Sequence, residues 1–84
     1  MKLLFLEDAW NDHLYWVQTD KVNLKKTNQL IKECMREPFA GIGKPEPLKF
    51  DLAGCWSRRI TSEHRLVYKI VEDTLIIIQC RYHY

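Results

Sequence analysis

Eighty-four residues with a net charge of +2 make one small domain, too short for two independent cores or for most cofactor-binding α/β folds. A hydrophobic content of 46% beside 29% charged residues excludes a disordered tail, a fibrous chain and a low-complexity segment. Size scaling predicts a folded surface of about 5,300 Å² against roughly 14,600 Å² for the extended chain, enough burial for a modest core. The longest apolar runs, Leu3 to Leu6 and Leu75 to Ile78, fall far short of the roughly 20 residues of a membrane span. Leu3 to Leu6 is also too short for a signal-peptide core and runs straight into Glu7 and Asp8, so a soluble cytoplasmic protein is expected. Residues 1–42 carry six basic and six acidic side chains, residues 43–84 seven basic and five acidic. The positive excess is therefore C-terminal. Cys34, Cys55 and Cys80 are odd in number and lack CxxC spacing, which fits small core residues in a reducing compartment rather than a disulfide framework or a zinc knuckle.

In chain order, Leu3 to Leu6 reads as a strand that hands over at Glu7 and Asp8 to a helix whose first turn favours acids. Ala9 or Trp10, His13 or Leu14, and Val17 then recur at helical spacing, which predicts the apolar face of a first helix. Asp20 is a good N-cap for a second, with Leu24, Thr27 or Asn28, Ile31 and Cys34 or Met35 on its inner face and Pro38 as its stop. Two glycines and two prolines in Gly41 to Pro47 predict a stiff loop. Strands are expected over Leu48 to Leu52, Cys55 to Thr61, Arg65 to Val71 and Thr74 to Tyr82. The order β-α-α-β-β-β(-β) implies an α+β fold, a helical hairpin on one face of an antiparallel sheet, over a single domain of residues 1–84.

Strand alternation assigns faces. Ile76, Ile78, Cys80 and Tyr82 share one parity and should face the helices; Leu66, Tyr68 and Ile70, and Trp56, Arg58 and Ile60, are their counterparts. Arg59, Arg65, Arg81 and His83 are then expected on the open face, unless a bulge inverts part of the assignment. Such a surface suits phosphate handling, beside a loop bearing Lys44, Glu46 and Lys49. Taken alone, each of these groups reads first as an ordinary solvated surface charge. Trp10, Trp16, Trp56 and Tyr68 lie within apolar periodicity and read as core rather than base-stacking platforms. Residue placement by itself leaves the function open.

Four segments narrow it. Pro38-Phe39-Ala40-Gly41-Ile42-Gly43-Lys44-Pro45-Glu46-Pro47-Leu48-Lys49, Trp56-Ser57-Arg58-Arg59-Ile60, His64-Arg65-Leu66-Val67-Tyr68 and the closing Cys80-Arg81-Tyr82-His83-Tyr84, in that order and at this total length, resemble the YoeB toxins. That family belongs to the RelE/ParE-like ribosome-dependent messenger-RNA endonucleases of type II toxin–antitoxin systems. The resemblance spans essentially the whole chain and implies a RelE-like microbial RNase fold. It also implies cleavage of mRNA in the A site of the ribosome, between the 30S and 50S subunits. By the same resemblance Glu46 is the general base, His83 the general acid and Arg65 the phosphate-stabilising cation, with Lys49, Arg59 and Tyr84 binding and orienting RNA. It further implies inhibition by a YefM-type antitoxin and operator DNA binding only as the toxin–antitoxin complex. A homodimer is expected both from the resemblance and from the tryptophan-rich first helix.

The residue types suit that chemistry. Attack of a ribose 2′-hydroxyl on its own 3′-phosphate needs a base, a cation and an acid, and the nucleophile comes from the RNA. No cofactor is called for. A metal is not implied either, since a two-metal site wants clustered carboxylates and this face offers mainly Glu46. By ordinary pKa a histidine is a better base than a glutamate, so the residues alone leave the roles of Glu46 and His83 interchangeable. The competing classes are a non-catalytic DNA-binding corepressor, against which stand the near-neutral charge and the lack of a helix-turn-helix signal, and a binding-only relative.

Overall fold

A computed structural model describes the whole chain, Met1–Tyr84. The elements are β1 (Lys2–Phe5), α1 (Glu7–Thr19), α2 (Lys21–Arg36), β2 (Glu46–Pro47), a single 3-10 turn (Phe50–Leu52), β3 (Trp56–Arg59), β4 (Arg65–Val71) and β5 (Thr74–Gln79). The strands form one sheet in the order β1-β5-β4-β3-β2, with the helical hairpin packed on one face. Its accessible surface is 5416 Å², close to the value expected from length. No helix is long and apolar enough to cross a membrane.

The helices follow their local signals. Asp20 ends α1 and starts α2: its carboxylate accepts the Asn23 N–H at 3.0 Å, supplying one of the four donors a helix N-terminus leaves free. The α2 face of Thr27, Leu30, Ile31 and Cys34 is buried, as its periodicity predicts. On α1 the buried residues are Ala9 and Trp16, whereas Trp10 and Val17 are each 46% exposed. That corrects the expectation of Val17 and Trp10 inside. The large Trp16 ring takes the place and satisfies its indole N–H on the Cys80 carbonyl at 2.7 Å.

Three further expectations are corrected. The sheet is mixed rather than antiparallel, because β1 pairs parallel with β5. The run Leu75 to Ile78 is thereby an interior strand, which explains its unbroken apolar character. No strand covers Leu48 to Leu52; pairing ends at Pro47, and Phe50 turns left-handed with φ 57°. Pro47 has no N–H to donate and is tolerated only because β2 is an edge strand. The expected strands Cys55 to Thr61 and Thr74 to Tyr82 contract to Trp56–Arg59 and Thr74–Gln79.

The parity of β5 is also inverted. Leu75 and Ile77 are fully buried while Ile76 and Ile78 are half-buried on the other face. Opposite the single step from Val67 to Tyr68, β5 advances two residues, from Gln79 to Ile77. Ile78 is the extra residue of a bulge, and beyond it Cys80 returns to the core, as expected.

Arg58 is fully buried on β3. Its guanidinium donates to the carbonyls of Glu37, Ala40 (2.8 Å) and Ile42 (2.9 Å) and to the Tyr68 hydroxyl (3.2 Å), which in turn donates to the Pro38 carbonyl at 2.6 Å. Burial pushes the Tyr68 hydroxyl up to about 12, against the lowering effect of the Arg58 hydrogen bond. Gly43 closes the loop against β3. Its φ is +82°, and a Cβ there would meet Leu30 Cδ2 at 2.7 Å and Arg58 Cβ at 3.1 Å.

Truncating Arg58 strands three carbonyls and a phenol: Arg58→Ala is expected to lower unfolding free energy by at least about 3 kcal/mol in urea titration. Burial also raises the Cys34 thiol to about 11 and the Cys80 thiol to about 12. In the unfolded chain these groups and Tyr68 ionise from their ordinary values, so their contribution is complete below about pH 9 and is lost as pH rises toward 12. The urea midpoint should fall steadily over that alkaline window, and iodoacetamide should label Cys34 and Cys80 only on unfolding.

Candidate functional site

The six candidate residues gather at one end of the sheet, the end where β2 begins, β3 stops, β4 starts and β5 releases the C-terminal segment. Glu46 opens β2 and pairs with Ser57, Ser57 pairs with Val67, and Val67 with Gln79. Arg59 pairs with Arg65 one step further toward the β3–β4 turn, so alternation sets both arginines on the same face as Glu46 and Ser57. Glu46, Lys49 and Arg59 are exposed.

The segment after β5 completes the site by folding back over that face. The Tyr84 hydroxyl donates to Glu46 Oε1 at 2.9 Å and accepts from Ser57 Oγ at 3.4 Å. A shallow cleft is lined by Glu46, Lys49, Phe50 and Tyr84. His83 is exposed; its ring lies 4.7 Å from that of Tyr84, and its Nδ1 is 3.0 Å from the Tyr84 main-chain oxygen.

Arg65 is reached differently from the expectation of an open-face cation. Only 7% of it is exposed, and its Nη1 donates to the carbonyls of Thr61 (2.6 Å), Ser62 (3.1 Å) and His64 (3.2 Å). These bonds hold the guanidinium against the β3–β4 turn. Its Nε and Nη2 hydrogen-bond nothing within the chain and are not fully buried, so the free edge remains available to an anion. Arg81, expected on the open face, instead lies over the Tyr15 ring of α1, 3.4 Å from its centroid. The reason is that pairing stops at Gln79, so strand alternation no longer applies there.

What holds the segment was not visible in the sequence. The Cys80 N–H donates to Asp12 Oδ2 at 3.1 Å and the Cys80 carbonyl accepts from Trp16. The Tyr82 N–H donates to His64 Nδ1 at 2.8 Å, and the Tyr82 carbonyl accepts from the Arg65 N–H at 2.9 Å. From the open face Gln79 Nε2 donates to the Arg81 carbonyl at 3.0 Å. Burial raises the Asp12 carboxyl above its usual range, opposed by the Cys80 N–H and the Arg81 charge. Asp12 and Cys80 are 68 residues apart, and Ser57 likewise has no local signal marking it as a partner of Tyr84. No three His, Cys, Asp or Glu side chains are grouped as a metal site.

The family described as "YoeB-like toxin of bacterial type II toxin-antitoxin system" matches residues 5–84. Toxin YoeB of Escherichia coli strain K12 is 61% identical over 84 residues, the full length of both chains. Among solved structures, a YoeB/ParE toxin from Agrobacterium tumefaciens is 52% identical with a TM-score of 0.97, covering 100% of each chain. A Staphylococcus aureus YoeB–YefM complex contains a chain 44% identical with a TM-score of 0.92, and a YoeB dimer from that organism one 45% identical with a TM-score of 0.92; each alignment covers 100% of this chain and 98% of the other. With a whole-length family match and a shared fold, the chain belongs to the YoeB-like toxins of bacterial type II toxin–antitoxin systems.

Proposed function

We propose that this toxin is an endoribonuclease that cuts messenger RNA in the ribosomal A site and so stops translation. The 2′-oxygen of the substrate bonds to the adjacent phosphorus as the bond from phosphorus to the 5′-oxygen of the next nucleotide breaks, leaving a 2′,3′-cyclic phosphate and a free 5′-hydroxyl. Glu46 takes the 2′-proton, the free edge of Arg65 meets the charge that builds on the phosphoryl oxygens, and His83 protonates the departing oxygen. Lys49 and Arg59 bind backbone phosphate, and the Tyr84 ring supports a base or sugar. The observation that carries this reading is the Tyr84 to Glu46 hydrogen bond, which couples the segment bearing His83 to the strand bearing Glu46.

A YefM-type antitoxin neutralises the toxin in this reading, and the pair together represses its own operon; the YefM complex of the Staphylococcus relative supports the partner. The Staphylococcus YoeB dimer and the exposed Trp10 support a homodimer. The acid–base chemistry asks for no metal.

Primer extension on a defined message should show cuts only when ribosomes are present; equal cleavage of naked RNA overturns the ribosome requirement. Expression without antitoxin should arrest growth, and His83→Ala should relieve it. In a pH–rate profile Glu46→Gln should lose the acidic limb that a carboxylate base produces, and an unchanged limb removes Glu46 from that role. Tyr84→Phe, which deletes the hydroxyl but keeps the ring, should slow cleavage roughly tenfold, the kinetic equivalent of one hydrogen bond of about 1.4 kcal/mol.

A further inference from the structure

His64 has no part in the proton transfers just described, yet its side chain bonds the backbone of Tyr82, the residue next to His83. Its Nδ1 accepts the Tyr82 N–H at 2.8 Å, which requires the neutral tautomer with the proton on Nε2. The ring has two aromatic neighbours: Trp16 meets it in an edge-on arrangement with centroids 4.8 Å apart at 78°, and the Tyr82 ring lies 6.1 Å away. The backbone of His64 is fixed as well: its N–H donates to Thr61 Oγ1 at 3.1 Å, and its carbonyl accepts from Ile60 N at 3.0 Å.

Tyr82 needs such a restraint. It has φ +64°, a left-handed conformation that costs a non-glycine residue about 1 kcal/mol or more and persists only where the surroundings impose it. Two hydrogen bonds flank its Cα, the Tyr82 N–H to His64 Nδ1 and the Arg65 N–H to the Tyr82 carbonyl, and Gln79 Nε2 adds a longer one to the same carbonyl at 3.4 Å. The left-handed turn redirects the chain, so that Tyr84 comes down on Glu46 and Ser57. Because the sheet ladder ends at Gln79, no strand pairing substitutes for these two bonds.

We propose that His64 is a positioning residue, whose Nδ1 acceptor holds Tyr82 in the left-handed turn and thereby sets His83 and Tyr84 against Glu46. The proposal rests on the reading of His83 and Glu46 as the acid–base pair. His64 and Arg65 are consecutive, so one turn of chain holds the cation through three carbonyls and the C-terminal segment through one imidazole. A group that works this way acts on the rate of the bound complex and leaves its formation largely alone. Misplacement of a reacting group by about 1 Å is enough to cost on the order of 100-fold in rate.

The test compares His64→Leu, which removes the acceptor, with His64→Asn, whose Oδ1 stands one bond from Cγ as Nδ1 does. Cleavage of a defined message on purified ribosomes is measured over a range of toxin concentrations, together with thermal midpoints and exchange of the Tyr82 amide by NMR. The expected result is a fall of about 10- to 100-fold in the saturated rate for His64→Leu, an unchanged half-saturating concentration and faster Tyr82 exchange, with most of the rate restored in His64→Asn. A wild-type rate in His64→Leu overturns the proposal. So does a His64→Asn variant that is folded yet about tenfold or more slower than the wild type, and because this arm is scored against the wild type it decides the matter even where His64→Leu fails to fold. His83→Ala is assayed alongside: full activity there overturns the acid–base reading itself, whereas an inactive His83→Ala beside a fully active His64→Leu overturns only the role of His64.

Discussion

A buried cation without a carboxylate partner organises this molecule. Arg58 is fully buried, and the chain's two ion pairs both lie elsewhere, at Met1 with Asp73 and at Arg36 with Glu33. Its charge is instead met by three main-chain carbonyls of the α2–β2 loop and by the Tyr68 hydroxyl. A desolvated guanidinium is tolerable only when its donors are used, so the loop must present those oxygens in one arrangement. The same loop runs through Gly43, packed too tightly against Leu30 and Arg58 to accept a side chain, and its carbonyl accepts the Arg59 N–H at 2.7 Å. Glu46 follows three residues later, between two prolines that limit its backbone freedom. The place of the carboxylate is therefore a consequence of how an arginine on the next strand is satisfied.

The other half of the site is held by a different device. Beyond Gln79 the chain leaves the sheet, and its polar groups are taken up by side chains from α1, by His64 and by Gln79. Side-chain anchors allow a left-handed residue and a reversal of direction that a ladder would not. They also make the segment dependent on several single bonds, each worth about 1 kcal/mol. One half of the site thus rests on a rigid, buried network and the other on a chain segment tied down at a few points. Their meeting at Glu46 and Tyr84 is what brings a carboxylate, a phenol and an imidazole together on so small a domain.

Much of the fold was legible because it is local. The Asp20 cap, the buried face of α2, and β4 over Arg65 to Val71 follow from capping chemistry and periodicity within windows of a few residues. Where structure and expectation part, the causes are equally definite. Simple alternation along Thr74 to Tyr82 is broken by the bulge at Ile78 and by the end of the ladder, which inverts Ile76, Ile77 and Ile78 and sends Arg81 to the Tyr15 ring. On α1, Trp16 displaced Val17 from the interior because a single indole fills the space and finds a carbonyl for its N–H. The parallel pairing of β1 had no local signature at all.

For the site the division is the same. The four motif segments carried the resemblance to the YoeB family, and it was through that resemblance that Glu46, Arg65 and His83 with Lys49, Arg59 and Tyr84 became the candidates. Composition, strand propensity and helix caps act over short stretches of chain, so the sequence by itself determined the elements and the chemical groups available. Only the tertiary structure decided that Tyr84 touches Glu46 across 38 residues, that Cys80 is held by Asp12 across 68, and that Arg65 keeps one edge of its guanidinium free while the other is spent on carbonyls. Those contacts depend on where distant segments come to rest, and that is set by burial, by the satisfaction of Arg58 and by the bulge, none of which any single stretch of residues encodes.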